Sequence, residues 1–176
     1  MTDDQERGTR SESPAARHEG APEEIVVKLL KDRGFWLTMA ESCTGGLVAS
    51  RIVNVSGASA VFKGGFVTYT EEAKMKCLGV TAETLRTDGV VSAKCAREMA
   101  EGAAKALEAD VSVSVTGLAG PDGGTEKTPV GTVFMACYVR GRTTAKEYHF
   151  AGGRAEIRQA AAREALELVH AEIMKI

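Results

Sequence analysis

Ser42 stands in the run Ala40-Glu41-Ser42-Cys43-Thr44-Gly45-Gly46, between an apolar stretch with strand character and a stretch that reads as helix. Free backbone N–H groups and the helix dipole at such a junction favour an anion, a phosphate or a developing oxyanion. A nucleophile gains most there, with Thr44, Gly45 and Gly46 as the donors. Taken alone, the same turn also reads as a plain N-cap with a tight backbone. The second run, Gly65 to Lys74 (GFVTYTEEAK), puts the Tyr69 phenol at a strand end and the Lys74 amine a helical turn later, where both can face one cleft. A serine hydroxyl is a poor nucleophile until a base takes its proton. A partly desolvated lysine loses enough charge to be that base, with tyrosine relaying or donating a proton. An exposed helical lysine beside a half-buried tyrosine is the plain alternative.

The third run is Thr116 to Gly124 (TGLAGPDGG), a strand followed by a glycine-dense turn that lets backbone approach a ligand closely. Thr116, Gly117, Gly120 and Gly123 are its candidate contacts. It carries neither the GxxxxGK[ST] pattern of a phosphate loop nor the GxGxxG dinucleotide fingerprint, so nucleoside triphosphate hydrolysis has little support. A fourth element, Phe150-Ala151-Gly152-Gly153-Arg154, places a cation where the last helix begins. That is a poor position in dipole terms unless an anion such as a ligand phosphate sits nearby. Cys43, beside Ser42, is an alternative nucleophile, since a helix N-terminus lowers a thiol pKa.

Composition narrows the rest. Cys43, Cys77, Cys95 and Cys137 form no CxxC pair and His18, His149 and His170 are scattered, so metal-ligand spacing is absent and no metal or cofactor is expected. A formal net charge of -2 gives no electrostatic reason to expect nucleic acid or an anionic membrane as partner. No stretch approaches the about 20 apolar residues of a membrane span, and the polar N-terminus is unlike a secretory signal, which points to the cytoplasm and reduced thiols.

Residues 1–20 are crowded with Asp, Glu, Arg, Ser and Pro and read as a flexible tail, leaving 21–176 as one domain. Pro22 opens a first helix that Gly34 can end. Phe35 to Ala40 reads as a buried strand, Leu47 to Val53 as a helix, Gly65 to Thr70 as a strand and Glu71 to Leu78 as a helix. Thr81 is a plausible N-cap, and Ser92 opens a long Ala-rich helix to about Ala109. Val111 to Thr116 alternates apolar and hydroxyl residues as a strand. Val130 to Val139 and Thr143 to Phe150 flank Arg140-Gly141-Arg142 as a β-hairpin, and Arg154 to Ile176 is a closing helix. The hairpin strands must be antiparallel while the strand-helix-strand connections can run parallel. The expected fold is α/β, a three-layer α/β/α sandwich with a mixed parallel and antiparallel sheet.

AESCTGG, GFVTYTEEAK, the Val91-Ser92 pair before a long helix, SVTGLAGPDGG and PVGTVF occur in the order and spacing of the CinA C-terminal family, which the chain resembles over roughly residues 22 to 175. The resemblance implies a nicotinamide mononucleotide deamidase that releases ammonia from the ring carboxamide, in the stand-alone form. It also implies Ser42 as nucleophile, with Tyr69 and Lys74 as the activating pair. The Gly117 to Gly124 loop and Arg154 are then the candidate phosphate contacts. Homo-oligomer formation is expected, as family members commonly associate. The alternatives are an inactive binding module linked to competence or DNA damage, and an amidohydrolase of another small amide.

Overall fold

The computed structural model describes residues 20–176, so the expected tail, apart from Gly20, lies outside the described residues. The elements follow as α1 (Pro22–Arg33), β1 (Leu37–Glu41), α2 (Leu47–Val53), a 3-10 turn (Ala58–Ala60), β2 (Phe62–Val67), α3 (Glu71–Leu78), α4 (Ala82–Thr87), α5 (Ala93–Leu107), β3 (Val111–Gly117), β4 (Thr132–Val139), β5 (Arg142–His149) and α6 (Arg154–Ile173). Their boundaries have local causes. Pro22 needs no N–H partner in the first turn of α1, and Gly34 ends it at φ 66°, returning its N–H to the carbonyls of Leu30 and Lys31. The hydroxyls of Thr70, Thr81 and Ser92 cap α3, α4 and α5 by accepting from the N–H three residues on.

The sheet order is β2-β1-β3-β4-β5. β1 runs parallel to both β2 and β3, whereas β4 is antiparallel to β3 and to β5, so the sheet is mixed as expected. Helices α1, α2 and α6 cover one face and α5 the other, with α3 and α4 leaning on α5. The larger core fills the first layer, where Leu30, Leu37, Met39, Val113, Val115, Ile157 and Leu166 are buried together. Each such side chain is worth about 1.5–3 kcal/mol by its burial.

Strand β3 explains the second layer. Val111, Val113 and Val115 point into the α6 side, so Ser112, Ser114 and Thr116 must point to α5, yet they too are buried. The alternation therefore marks two buried faces, one apolar and one of small hydroxyls. Small residues let α5 lie close: Ala96 and Ala100 pack on Ala136 of the sheet, and Ser114 Oγ donates to the Ala96 carbonyl at 2.6 Å. Gly102 abuts the Leu78 carbonyl at the end of α3, leaving no room for a Cβ.

Two expectations shift. The second strand lies at Phe62–Val67 rather than Gly65 to Thr70, because its pairing with β1 ends at Glu41 and Val67 and the chain then turns. Tyr69 is thus in the turn before α3 and not on a strand. The hairpin turn is Arg140-Gly141, both at positive φ (45° and 93°), the two-residue geometry that suits twisted strands.

Candidate active site

β1 sits between strands reached by separate crossovers, so the chain leaves its carboxyl end in one direction and that of β3 in another. Open α/β sheets bind ligands in the crevice at such a switch point. Here it is a cleft of about 400 Å³ lined from three directions. Ser42 and Cys43 come from the turn after β1, Tyr69 and Lys74 from the turn before α3 and from α3 itself, and Thr116, Gly117 and Gly120 from the segment after β3. Arg154, the first residue of α6, closes the rim.

Lys74 is the unusual residue. Its side chain is 2% exposed, the Nζ lies 3.0 Å from Ser42 Oγ, and it donates to the Thr68 carbonyl at 2.7 Å. No carboxylate forms an ion pair with it among the described residues. Burial without a counter-ion disfavours the ammonium, and Lys74 is held below the ordinary lysine range for that reason. The electrostatic attraction of Cys95, Cys43 and Glu71 opposes this and is smaller. An amine biased by burial towards its neutral form, beside a serine hydroxyl, is placed to accept its proton.

Tyr69 reaches the cleft but not the serine. It is 59% exposed, and its hydroxyl accepts from an Arg154 Nη at 2.8 Å. The other Nη of Arg154 donates to the Gly120 carbonyl, also at 2.8 Å. Arg154 thus ties the turn before α3 to the loop after β3 across the mouth of the cleft. Thr116 is buried and donates its hydroxyl to the Val90 carbonyl at 2.7 Å.

The serine turn departs from expectation. Thr44, Gly45, Gly46 and Gly123 do not line the cleft, and the Thr44 hydroxyl is buried without a hydrogen-bond partner among the described residues. The Gly45 N–H donates to the Ser42 carbonyl. The Gly46 N–H goes to the carboxylate of Glu41, which is 1% exposed and also accepts from Val48 and Ala49, at 2.9, 3.1 and 2.9 Å respectively. The amino end of α2 is therefore filled from within and has no donors left for a ligand oxyanion. Cys43, Ala119 and Gly120 are among the lining residues whose N–H groups donate to no other residue.

Two residues that hold this turn were not singled out in the sequence: Glu41, where the first strand gives way to the loop, and Arg158, in α6. Arg158 Nε donates to the Cys43 carbonyl at 2.9 Å and an Nη to the Thr44 carbonyl at 2.8 Å. Its spacing four residues beyond Arg154 puts both guanidinium groups on one face of α6, which was the available signal. Cys43 is buried and its thiol is pushed up to about 11 by that burial, against the expectation that the helix end would lower it. At neutral pH it is a thiol, not a thiolate.

Fold and site together define an α/β domain with a mixed sheet and a serine beside a buried lysine at the switch point. The CinA C-terminal domain profile matches residues 20–173. A CinA-like protein of Kosmotoga olearia is 50% identical over 88% of this chain and 37% of its own length. A putative competence-damage inducible protein of Clostridioides difficile is 45% identical over 96% of this chain and 40% of its own. The chain thus spans about two fifths of these curated relatives. Among solved structures, a CinA superfamily protein from Klebsiella pneumoniae superposes with a TM-score of 0.85 at 35% identity, covering 88% of this chain and 97% of that one. A competence/damage inducible protein from Agrobacterium tumefaciens gives 0.82 at 43% identity, covering 89% and 98%. The chain belongs to the CinA C-terminal domain family.

Proposed function

We propose that the domain hydrolyses the carboxamide of nicotinamide mononucleotide to nicotinate mononucleotide and ammonia. The observation that carries this reading is the 3.0 Å approach of an uncompensated buried amine, Lys74, to the Ser42 hydroxyl at the floor of an open cleft. Ser42 Oγ adds to the carboxamide carbon as its proton passes to Lys74 Nζ. The N–H groups of Cys43, Ala119 and Gly120 are the proposed donors to the oxyanion, in the role first expected of Thr44 to Gly46. Lys74 then returns the proton to the departing nitrogen, the C–N bond breaks, and ammonia leaves an acyl-serine. Water, deprotonated by the same amine, cleaves the ester and restores the serine. The residues named need no metal or organic cofactor for these steps.

Arg154 is the cation for the 5'-phosphate, with the Tyr69 hydroxyl orienting it, so Tyr69 serves the rim rather than the serine's proton. The test is ammonia release from nicotinamide mononucleotide and from free nicotinamide. Ser42→Ala should abolish release while circular dichroism stays native, and Cys43→Ala should keep most of it. The reverse pattern moves the nucleophile to the thiol, and activity confined to a different amide replaces the substrate.

A further inference from the structure

The turn that carries Ser42 is gripped on both of its polar edges by charged side chains from opposite directions. Glu41 takes three N–H groups, those of Gly46, Val48 and Ala49. Arg158 takes two carbonyls, those of Cys43 and Thr44. The Ser42 N–H itself donates to Val115 of the neighbouring strand at 2.9 Å. Helix α2 has no side-chain cap of its own: its N-cap is Gly46 at φ 99°, and the carboxylate that serves it comes from five residues earlier in the chain. Gly45 carries φ 59° and a Cβ built there would lie 3.3 Å from an Arg158 Nη, so the guanidinium lies close against the turn.

We propose that Glu41 and Arg158 are the positioning residues of the nucleophile. Neither touches the cleft, and neither exchanges a proton with substrate. Together they fix the backbone from 42 to 46 so that Ser42 Oγ meets Lys74 Nζ before any ligand arrives. A helix end that was open would draw a phosphate or carboxylate to the wrong side of the serine. Filling it with an internal carboxylate leaves the Cys43, Ala119 and Gly120 donors as the place for negative charge. Arg158 extends the control to α6, since the residue one turn earlier, Arg154, spans the cleft mouth: one helix sets both the rim and the turn beneath it.

The inference rests on Ser42 being the nucleophile, so its test does not depend on the natural substrate. A fluorophosphonate probe labels an activated serine, and mass spectrometry reads the rate at Ser42. Folded Glu41→Gln and Arg158→Ala should label about a hundredfold more slowly than the parent, the scale of loss that an ångström of misplacement brings. Arg158→Lys, which keeps one charged donor, should lie between. With nicotinamide mononucleotide the loss should fall on kcat, with KM within about twofold of the parent, a split that general loosening of the fold does not give. If Glu41→Gln does not fold, the two Arg158 variants carry the test. Labelling of folded variants at the parent rate, or a loss confined to KM, overturns the positioning role. A parent protein that is never labelled at Ser42 removes the nucleophile itself, and this inference with it.

Discussion

Replacing Lys74 by Met separates what the amine costs the fold from what it gives the chemistry. Met fills a similar volume without charge. Two terms decide stability. The Thr68 carbonyl loses its 2.7 Å donor, and leaving a buried acceptor unpaired costs about 1–3 kcal/mol. Against this, the folded state no longer carries an amine held below its ordinary pKa, a relief of about 1.4 kcal/mol for each unit of lowering. The two terms oppose each other, so the melting temperature should move by less than the larger one alone would give, at about 2–4 °C per kcal/mol for a chain of this size.

Their pH dependence does not cancel. Because the folded pKa is lowered, the unfolded chain binds the extra proton between the lowered value and the free lysine value near about 10.4. The parent therefore pays the full penalty below its folded pKa and recovers stability as pH rises through that window. Lys74→Met lacks this recovery, so its stability relative to the parent should fall as pH rises from neutral towards about pH 10. Activity should fall at least about a hundredfold, the lower end of what a general base supplies. Thermal unfolding at stepped pH, beside ammonia release, reads both quantities. A variant that loses several kcal/mol equally at every pH, or that still turns over, refutes the assignment of Lys74 as a buried base of lowered pKa.

Further outcomes follow from individual contacts. Arg154→Ala should raise KM for nicotinamide mononucleotide with little change in kcat, since the guanidinium bridges Tyr69 and Gly120 at the rim, away from the serine–lysine pair. Unchanged steady-state kinetics takes Arg154 out of the ligand's reach. Gly117→Ala puts a Cβ 2.7 Å from the Thr132 carbonyl oxygen and from the Val133 Cα. These are backbone atoms that cannot swing aside, so unfolding in denaturant should show a loss of about 1–3 kcal/mol. An unaltered midpoint shows that the two strands are not packed so closely there.

Much of this arrangement could be read before any coordinates. The capping hydroxyls of Thr81 and Ser92 and the Gly34 stop are local signals with local causes, and each falls where the residues put it, while the hairpin turn is one residue shorter than expected. The pairing of Ser42 with Lys74 was legible through two separate motifs. What the sequence hid was decided by tertiary contacts. Strand β2 begins three residues early because its partner β1 fixes the register. The Gly46 N–H looked free because nothing in the run Ala40 to Gly46 says that Glu41 folds back on its own turn. Cys43 looked activated because proximity to a helix end is visible in sequence, while burial is not. Tyr69 looked like a partner of Lys74 until Arg154, 85 residues away, proved to hold its hydroxyl.

The grip of Arg158 on Cys43 and Thr44 joins the serine turn to α6. In synthesis residue 158 emerges 115 residues after Cys43. A nascent chain can already own its serine, its lysine and the five strands of its sheet, yet the Cys43 and Thr44 carbonyls lack their guanidinium until residue 158 docks. A chain interrupted before that residue would keep Ser42 without the charged side chain that spans its turn from α6.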